Sequence, residues 1–318
     1  MKTITSPSLN AKLKAMYSQK LKYTDLEDLT KQTSISEAII LLKSKLHNLD
    51  KLSNTARRIE LENSLDTIII NDMKKIIKYL SGTNKEIFEH YILKYKINAI
   101  IKIYDNLFIS NIPPSPNEWV EELFNELKIL YTATTIDDFI EKIDDKNIRN
   151  IFYNNTTDFE RENALNKYYF ESFLKLIKGK NKNIESLLKT QIDLLNILWT
   201  YRTKKYYDVL NPNILIKSFY KIDIETIKNI EEINSLSDLN HILDSTNYKG
   251  IINNNIELDI KKYLYLKYKN IFRKELLDLS LVISYFNILE IEKENIVTII
   301  ECIRYNVPKQ NINNKIII

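Results

Sequence analysis

Glycine is almost absent from this chain. Its 318 residues include 3 glycines and 6 prolines, whereas ordinary proteins contain about 7% glycine and about 5% proline. Glycine-rich phosphate-binding loops, dinucleotide-binding turns and all-β folds with many tight turns depend on glycine. Long helices do not, because glycine in a helix interior costs about 1 kcal/mol relative to alanine. The scarcity favours a helical fold and argues against the glycine-dependent nucleotide-binding classes.

Apolar residues recur with helical spacing along most of the chain. Near the start, Leu9, Leu13 and Met16 fall at positions i, i+4 and i+7. A second stripe near the end consists of Ile296, Ile299, Ile300 and Ile303. Spacing of three and four residues places side chains on one helix face, whereas the two-residue alternation of strands is nearly missing. We therefore predict an all-α fold.

Composition narrows the class of protein further. Apolar residues make up 44% of the chain and charged residues 28%, which argues against disorder. No stretch approaches the roughly 18 consecutive apolar residues of a membrane-spanning helix, and the first ten residues lack the apolar core of a secretory signal. The single cysteine, Cys302, can form no internal disulfide and fits a reducing compartment.

A short capping pattern recurs at an interval of about one hundred residues. A hydroxyl residue is followed three positions later by an acid at Ser34, Thr135 and Ser235. In such a capping box the hydroxyl accepts a hydrogen bond from the N–H three residues on, and the acid reaches back to the N–H of the cap. The pattern is common by chance, but its recurrence at offsets of 101 and 100 residues indicates duplication.

Two further anchors follow each cap in the same order. The second anchor is a glutamate, at Glu62, Glu162 and Glu257. The third is an asparagine within an aliphatic helix, at Asn98, Asn196 and Asn295. We expect the glutamates to form caps or inter-helix hydrogen bonds. A buried amide needs hydrogen-bond partners, so we expect the asparagines to fix helix register; a polar lining for a central opening is the alternative.

These anchors predict a threefold tandem duplication. Helix breakers cluster at Pro113, Pro114 and Pro116 and again at Asn211 and Pro212. We therefore predict three helical units, at residues 1–111, 112–211 and 212–318. A period near one hundred residues holds a multi-helix bundle, whereas solenoid repeats run about 20–50 residues. Three like bundles suggest a pseudo-threefold body.

Candidate catalytic residues are few. The histidines His47, His90 and His241 have no metal-ligand spacing and no repeat-equivalent position. Cys302 lies beside Ile299 and Ile303 on the predicted helix, without an activating histidine, as a small buried hydrophobic residue would. The adjacent acids after Thr135 are explained by the capping box. We predict no catalytic site, no cofactor site and no metal site.

Charge is concentrated in the first third of the chain. The whole chain has 46 basic and 42 acidic residues, a net charge of +4, which is too balanced to indicate nucleic-acid binding. Residues 1–111 carry 18 basic against 12 acidic side chains. Lys12, Lys14, Lys20 and Lys22 are predicted to form a basic face on the first helix. This face would contact an acidic partner or a lipid surface, or would simply be solvated.

Four segments resemble one known family, the C subunit of V/A-type rotary ATPases, equivalent to the eukaryotic d subunit. Residues 9–16 are similar to its opening helix, and residues 164–170 to its Ala-Leu-Asp-Arg-x-Tyr-Phe segment. Residues 192–197 resemble its Ile-Asp-Leu-x-Asn helix, and residues 294–296 with Pro308 its C-terminal helix. Lysine replaces the family's arginine at Lys12, Lys14 and Lys167. The resemblance covers essentially the whole chain.

The resemblance implies a funnel-shaped, all-helical, noncatalytic subunit. It would sit peripherally on the cytoplasmic side of the membrane, on the proteolipid ring, and receive the foot of the central shaft. It would transmit torque for ATP-coupled transport of protons or sodium ions, with no small-molecule substrate and no nucleic acid. The alternatives are an all-helical cytosolic scaffold for protein partners and a nucleic-acid-binding helical protein. Co-purification with membrane proteolipids would distinguish the rotary subunit from the scaffold. A nucleic-acid-binding protein would instead show a salt-dependent affinity for DNA or RNA.

Overall fold

A computed structural model describes residues 4–46, 49–110, 122–155, 157–207, 214–233, 235–274 and 277–317. Within these ranges the regular structure is helical, and the β-type pairing consists of one isolated bridge between Ile4 and Asp278. The predicted all-α class is confirmed.

Fourteen α-helices lie in the described ranges. They are α1 Pro7–Ser18, α2 Tyr23–Thr30, α3 Ile35–Lys45, α4 Arg58–Ile77, α5 Gly82–Tyr104, α6 Ile136–Glu141, α7 Lys146–Asn154, α8 Asp158–Ile177, α9 Lys182–Tyr207, α10 Ile224–Glu231, α11 Leu236–Asp244, α12 Ile256–Arg273, α13 Leu279–Arg304 and α14 Lys309–Ile312. A π-helical turn, Asp105–Ile109, follows α5, and a 3-10 segment, Asn125–Thr132, precedes α6.

The described residues form two compact units. One, the middle unit, lies within residues 85–250, and the other, the terminal unit, combines residues within 2–84 and 251–318. The division into units 1–111, 112–211 and 212–318 stays a prediction. Its boundary residues Pro113, Pro114, Pro116, Asn211 and Pro212 lie outside the described residues.

Helix α13 forms the core of the terminal unit. All eleven residues from Leu279 to Leu289 are buried, as expected of a helix that is apolar on every side. It packs against α1, α2, α3, α4 and α12. Both predicted stripes are buried, the first at Leu9, Leu13 and Met16 and the second at the four isoleucines Ile296, Ile299, Ile300 and Ile303. The helical spacing therefore identified true core residues.

The middle unit is built around α9, which packs against α8 and α10. The middle unit also contains a cluster of aromatic rings. The centre of the Phe139 ring lies 5.5 Å from that of Tyr104 and 6.0 Å from that of Phe152. Phe139 and Phe173 are completely buried. Aromatic side chains of this size contribute much of the apolar area that stabilises a helical core.

Helix starts recur at the predicted interval. Helices α3, α6 and α11 begin at Ile35, Ile136 and Leu236. The next long helices begin at Arg58, Asp158 and Ile256, and the last at Gly82, Lys182 and Leu279. Gly82 and Gly179 both adopt positive φ, 51° and 73°, a backbone conformation that glycine tolerates without steric cost. This recurrence supports the period near one hundred residues; the equivalence of three copies stays a prediction.

Candidate functional site

The three predicted caps begin helices α3, α6 and α11. Each hydroxyl accepts a hydrogen bond from the N–H three residues on: Glu37 to Ser34 at 3.2 Å, Asp138 to Thr135 at 3.1 Å and Asp238 to Ser235 at 3.2 Å. The Asp238 carboxylate also accepts from the N–H of Ser235 at 2.9 Å. At the two earlier caps the acid accepts instead from the residue before the cap, Thr33 or Thr134. The caps are local supports of helix starts.

The three recurring glutamates lie near helix N-termini. Glu62 accepts from Arg58 of the same helix at 2.7 Å, so an intrahelical ion pair replaces the expected cap or inter-helix bond. Glu162 is exposed in the second turn of α8, and Glu257 is exposed in the first turn of α12. Negative charge near a helix N-terminus is favourable because it opposes the helix dipole.

Two of the three recurring asparagines are buried and bind backbone in the same way. The Asn196 amide donates to the carbonyl of Ile216 at 2.9 Å, and its carbonyl accepts from the N–H of Ile216 at 3.0 Å. Asn295 makes the same pair of bonds with Ile317, at 2.5 and 2.8 Å. Asn98 is exposed. The expectation of a buried amide therefore holds for two copies and is wrong for the first.

An acid one turn earlier completes each arrangement. Asp193 is completely buried, and its two oxygens accept from the N–H groups of Tyr220 and Lys221 at 3.0 and 2.8 Å. The hydroxyl of Tyr248 donates to it at 2.8 Å. Burial raises the pKa of Asp193, although these hydrogen bonds oppose the shift. We call Asp193 with Asn196 the middle clamp, because together they hold non-helical backbone against α9.

Glu292 and Asn295 form the corresponding terminal clamp on α13. Glu292 accepts from the N–H of Leu21 at 3.1 Å. Burial raises the pKa of Glu292 to about 7, with Lys20 opposing the shift. The clamp thus holds backbone from both ends of the chain, at Leu21 and Ile317. The sequence shows an acid three residues before each asparagine, Asp193 before Asn196 and Glu292 before Asn295. It does not show which backbone groups these side chains bind.

The four lysines do not form one face of the first helix. Helix α1 ends at Ser18, so Lys20 lies in the following turn and Lys22 at the start of α2. Lys14 donates to the carbonyl of Phe272 at 2.5 Å and lies 4.4 Å from the centre of that ring. The prediction of a shared helix face is wrong, because the helix stops before the second pair of lysines.

Lys20 is held inside the terminal unit by Asp72. Its ammonium lies 3.1 Å from one carboxylate oxygen of Asp72, and Lys75 lies 3.0 Å from the other. The hydroxyl of the fully buried Tyr285 donates to Asp72 at 2.8 Å. Burial favours the neutral form of Asp72, but these partners outweigh burial and lower its pKa. Asp72 was not singled out in sequence, since its partners are distant along the chain.

A cleft of about 270 Å³ opens beside Asp72. Its lining includes four lysines, Lys12, Lys20, Lys45 and Lys75. They come from α1, the turn after it, α3 and α4. Two of the four, Lys12 and Lys20, belong to the lysine pattern at the start of the sequence, whereas Lys45 and Lys75 are distant from it along the chain. The cleft is the strongest concentration of positive charge that the described cavities show.

The cysteine and one of the histidines considered in the sequence lie in the described ranges with little exposure. Cys302 is buried, and burial raises the pKa of its thiol. His90 contacts the Ser172 hydroxyl at 3.0 Å, and burial lowers its pKa. Within the described part of the chain, no cluster of three or more potential metal ligands occurs.

The helices of the described part of the chain include none that is long and apolar enough to cross a bilayer.

Comparison with known proteins gives matches along nearly the whole chain. A family described as "ATP synthase (C/AC39) subunit" matches residues 9–315. The C subunit of the A-type ATP synthase from Methanosphaera stadtmanae is 22% identical to this chain over an alignment 322 residues long. The alignment covers 90% of this chain and 81% of that protein.

Proposed function

The chain belongs to the ATP synthase (C/AC39) subunit family, and we propose that it is a noncatalytic central-stalk subunit of a V/A-type rotary ATPase or ATP synthase. In this role it seats the central shaft on the membrane proteolipid ring. It transmits torque for ATP-coupled ion transport, peripherally and on the cytoplasmic side of the membrane. The carrying observation is the family match across residues 9–315.

The two clamps support a mechanical role. Each joins non-helical backbone to a long helix, through Asp193 and Asn196 in one case and through Glu292 and Asn295 in the other. Opening either clamp would leave buried backbone groups without partners, at a cost of about 1–3 kcal/mol for each group. Segments held in this way resist local unfolding, which suits a part that transmits torque and performs no chemistry.

The contact with an acidic partner now rests on two of the four lysines. Lys14 and Lys20 are engaged inside the terminal unit. Lys22 is exposed, and Lys12 is half-buried. Neither has an ion-pair partner within the described part of the chain. We assign the electrostatic docking surface to Lys12 and Lys22.

Affinity capture from membranes tests the proposed function. The tagged full-length chain is expressed in its native cells, membranes are solubilised in mild detergent, and captured proteins are identified by mass spectrometry. The expected result is recovery of both proteolipid and central-shaft subunits. Recovery of shaft subunits without proteolipids would contradict the seat on the ring. Recovery of neither would favour the alternative, a cytosolic scaffold.

A further inference from the structure

The lysine cleft of the terminal unit has a structured floor. Asp72 binds Lys20 and Lys75 through different oxygens, at 3.1 and 3.0 Å, and Tyr285 fixes its orientation. Only 11% of the Lys20 side chain and 8% of the Asp72 side chain are exposed. The Lys20 ammonium is therefore positioned before any ligand arrives, which lowers the entropic cost of binding one, whereas the Lys75 side chain is half exposed.

Positive charge in the cleft exceeds the negative charge that contacts it. Lys45 pairs with Asp25 at 2.8 Å, while Lys20 and Lys75 share Asp72. Lys12 has no partner in the described ranges. Three ammonium groups thus share two carboxylates, and the Lys12 ammonium adds a further positive charge. Glu292, the other acid near Lys20, has a pKa of about 7 and is only partly ionised at neutral pH. A concave site with excess charge of one sign concentrates ions of the opposite sign.

The donors fit phosphate better than carboxylate. The charged lining consists of four lysines and Asp72, with no arginine among the lining residues. The planar fork of arginine matches a planar carboxylate, whereas lysine acts as a compact point charge with three donors. Four lysines from four separate elements surround a tetrahedral anion more readily than a planar one.

We propose that this cleft binds a compact phosphate-bearing polyanion, with Lys12, Lys20, Lys45 and Lys75 as its ligands and Asp72 as their positioning residue. A free diphosphate and the phosphorylated headgroup of a lipid carry the same chemistry. The proposal goes beyond the central-stalk role and does not depend on it, because binding is a property of the isolated chain.

Titration calorimetry with inorganic diphosphate tests the site on the purified full-length chain. We expect saturable one-to-one binding that weakens at high salt, because the contacts are charge–charge. Lys12→Gln should weaken binding about tenfold, or about 1.4 kcal/mol, since it removes one charge-assisted contact with the anion. Lys45→Gln should act in the same direction.

A matched control and two further probes make the result decisive. Lys51→Gln removes the same charge from an exposed residue outside the cleft and should leave diphosphate affinity unchanged. Flotation with phosphatidylcholine vesicles, with and without phosphatidic acid, separates a lipid source from free diphosphate. Equal affinities of wild type and the Lys12→Gln variant would overturn the proposal. A second outcome would also overturn it. In that outcome the chain binds a polyglutamate peptide through Lys12 but binds neither diphosphate nor vesicles that contain phosphatidic acid.

Discussion

Asn98, Asn196 and Asn295, which the predicted repeat aligns with one another, take different structural roles. The amides of Asn196 and Asn295 each satisfy both backbone groups of a single buried residue, Ile216 or Ile317. Asn98 is exposed. Only where a non-helical segment crosses the helix does the amide become structural.

Replacing Asn196 by leucine should destabilise the protein strongly. The variant leaves the N–H of Ile216 without a partner, and an unsatisfied buried group costs about 1–3 kcal/mol. The carbonyl of Ile216 loses the Asn196 donor but keeps the N–H of Ser218, at 2.7 Å. Asn98→Leu is the matched control and should change the free energy of unfolding by less than about 0.5 kcal/mol. Urea unfolding followed by circular dichroism measures both. An equal decrease in the free energy of unfolding in the two variants would contradict a stabilising role for the Asn196 hydrogen bonds of the middle clamp.

Glu292 should make stability depend on pH. Its pKa in the folded state is about 7, above its ordinary value of 4.5, so the folded state binds this proton more tightly than the unfolded state. The stability that it contributes is complete below about pH 4.5 and is lost as the pH rises through 7. Glutamine keeps an acceptor for the N–H of Leu21 but cannot ionise. The Glu292→Gln variant should therefore gain stability relative to wild type at pH 8 and not at pH 4.5.

Denaturant unfolding at these two pH values checks the Glu292 prediction. The exposed neighbour Glu294 provides the control, because Glu294→Gln also removes one acidic side chain from α13. A pH-dependent difference of the same size in both variants would reflect net charge and not the buried carboxyl.

At the scale of elements, helix starts and stops decide what each side chain can do. Ser34, Thr135 and Ser235 lie directly before α3, α6 and α11, where unpaired N–H groups await an acceptor. The end of α1 at Ser18 separates Lys20 from the lysines of that helix. Lys20 instead pairs with Asp72 in the interior of the terminal unit.

Loss of the Ser235 cap should loosen the start of α11. Ser235→Ala removes the acceptor for the N–H of Asp238, and cap removal costs about 1 kcal/mol. Amides in the first turn of α11 should exchange with deuterium about fivefold faster, since a factor of 10 corresponds to about 1.4 kcal/mol. Ser237→Ala, at an exposed position inside the same helix, should not accelerate exchange. Unchanged exchange in both variants would contradict a capping role.

Reversing the charge of Lys20 should unfold the terminal unit rather than merely weaken assembly. Glutamate at this position would place a second carboxylate beside Asp72, in a site where only 11% of the lysine side chain is exposed. Breaking a buried ion pair in this way costs about 3–5 kcal/mol. Lys51→Glu, on the exposed surface, should be neutral. Thermal unfolding measures the difference, and a normal melting temperature for Lys20→Glu would contradict the buried pair.

At the scale of the whole molecule, assembly should respond to the two remaining lysines. We expect Lys12→Glu combined with Lys22→Glu to weaken reconstitution with rotor subunits at low salt. Exposed pairs contribute only about 0–1 kcal/mol each, so the effect should be several-fold and should disappear at high salt. Circular dichroism controls for folding. Normal assembly of the folded variant at both salt concentrations would show that these lysines are only solvated.

The sequence by itself determined the features that depend on contacts within about four residues. Helical spacing predicted the all-α class and the buried stripe at Leu9, Leu13 and Met16, and the capping pattern located the starts of α3, α6 and α11. Motifs spread along the chain indicated the family. All of these signals are local, because helix hydrogen bonds and caps join neighbours in sequence.

Tertiary structure decided which polar residues became functional candidates. The partners Asp72 and Tyr285 are 213 residues apart, and Lys14 meets a carbonyl 258 residues away. No local pattern encodes such contacts. The sequence could show that Asn98 and Asn196 occupy similar places, but only packing determined that one amide would be buried against Ile216 and the other exposed. The lysine cleft likewise exists only because four separate elements converge around one buried carboxylate.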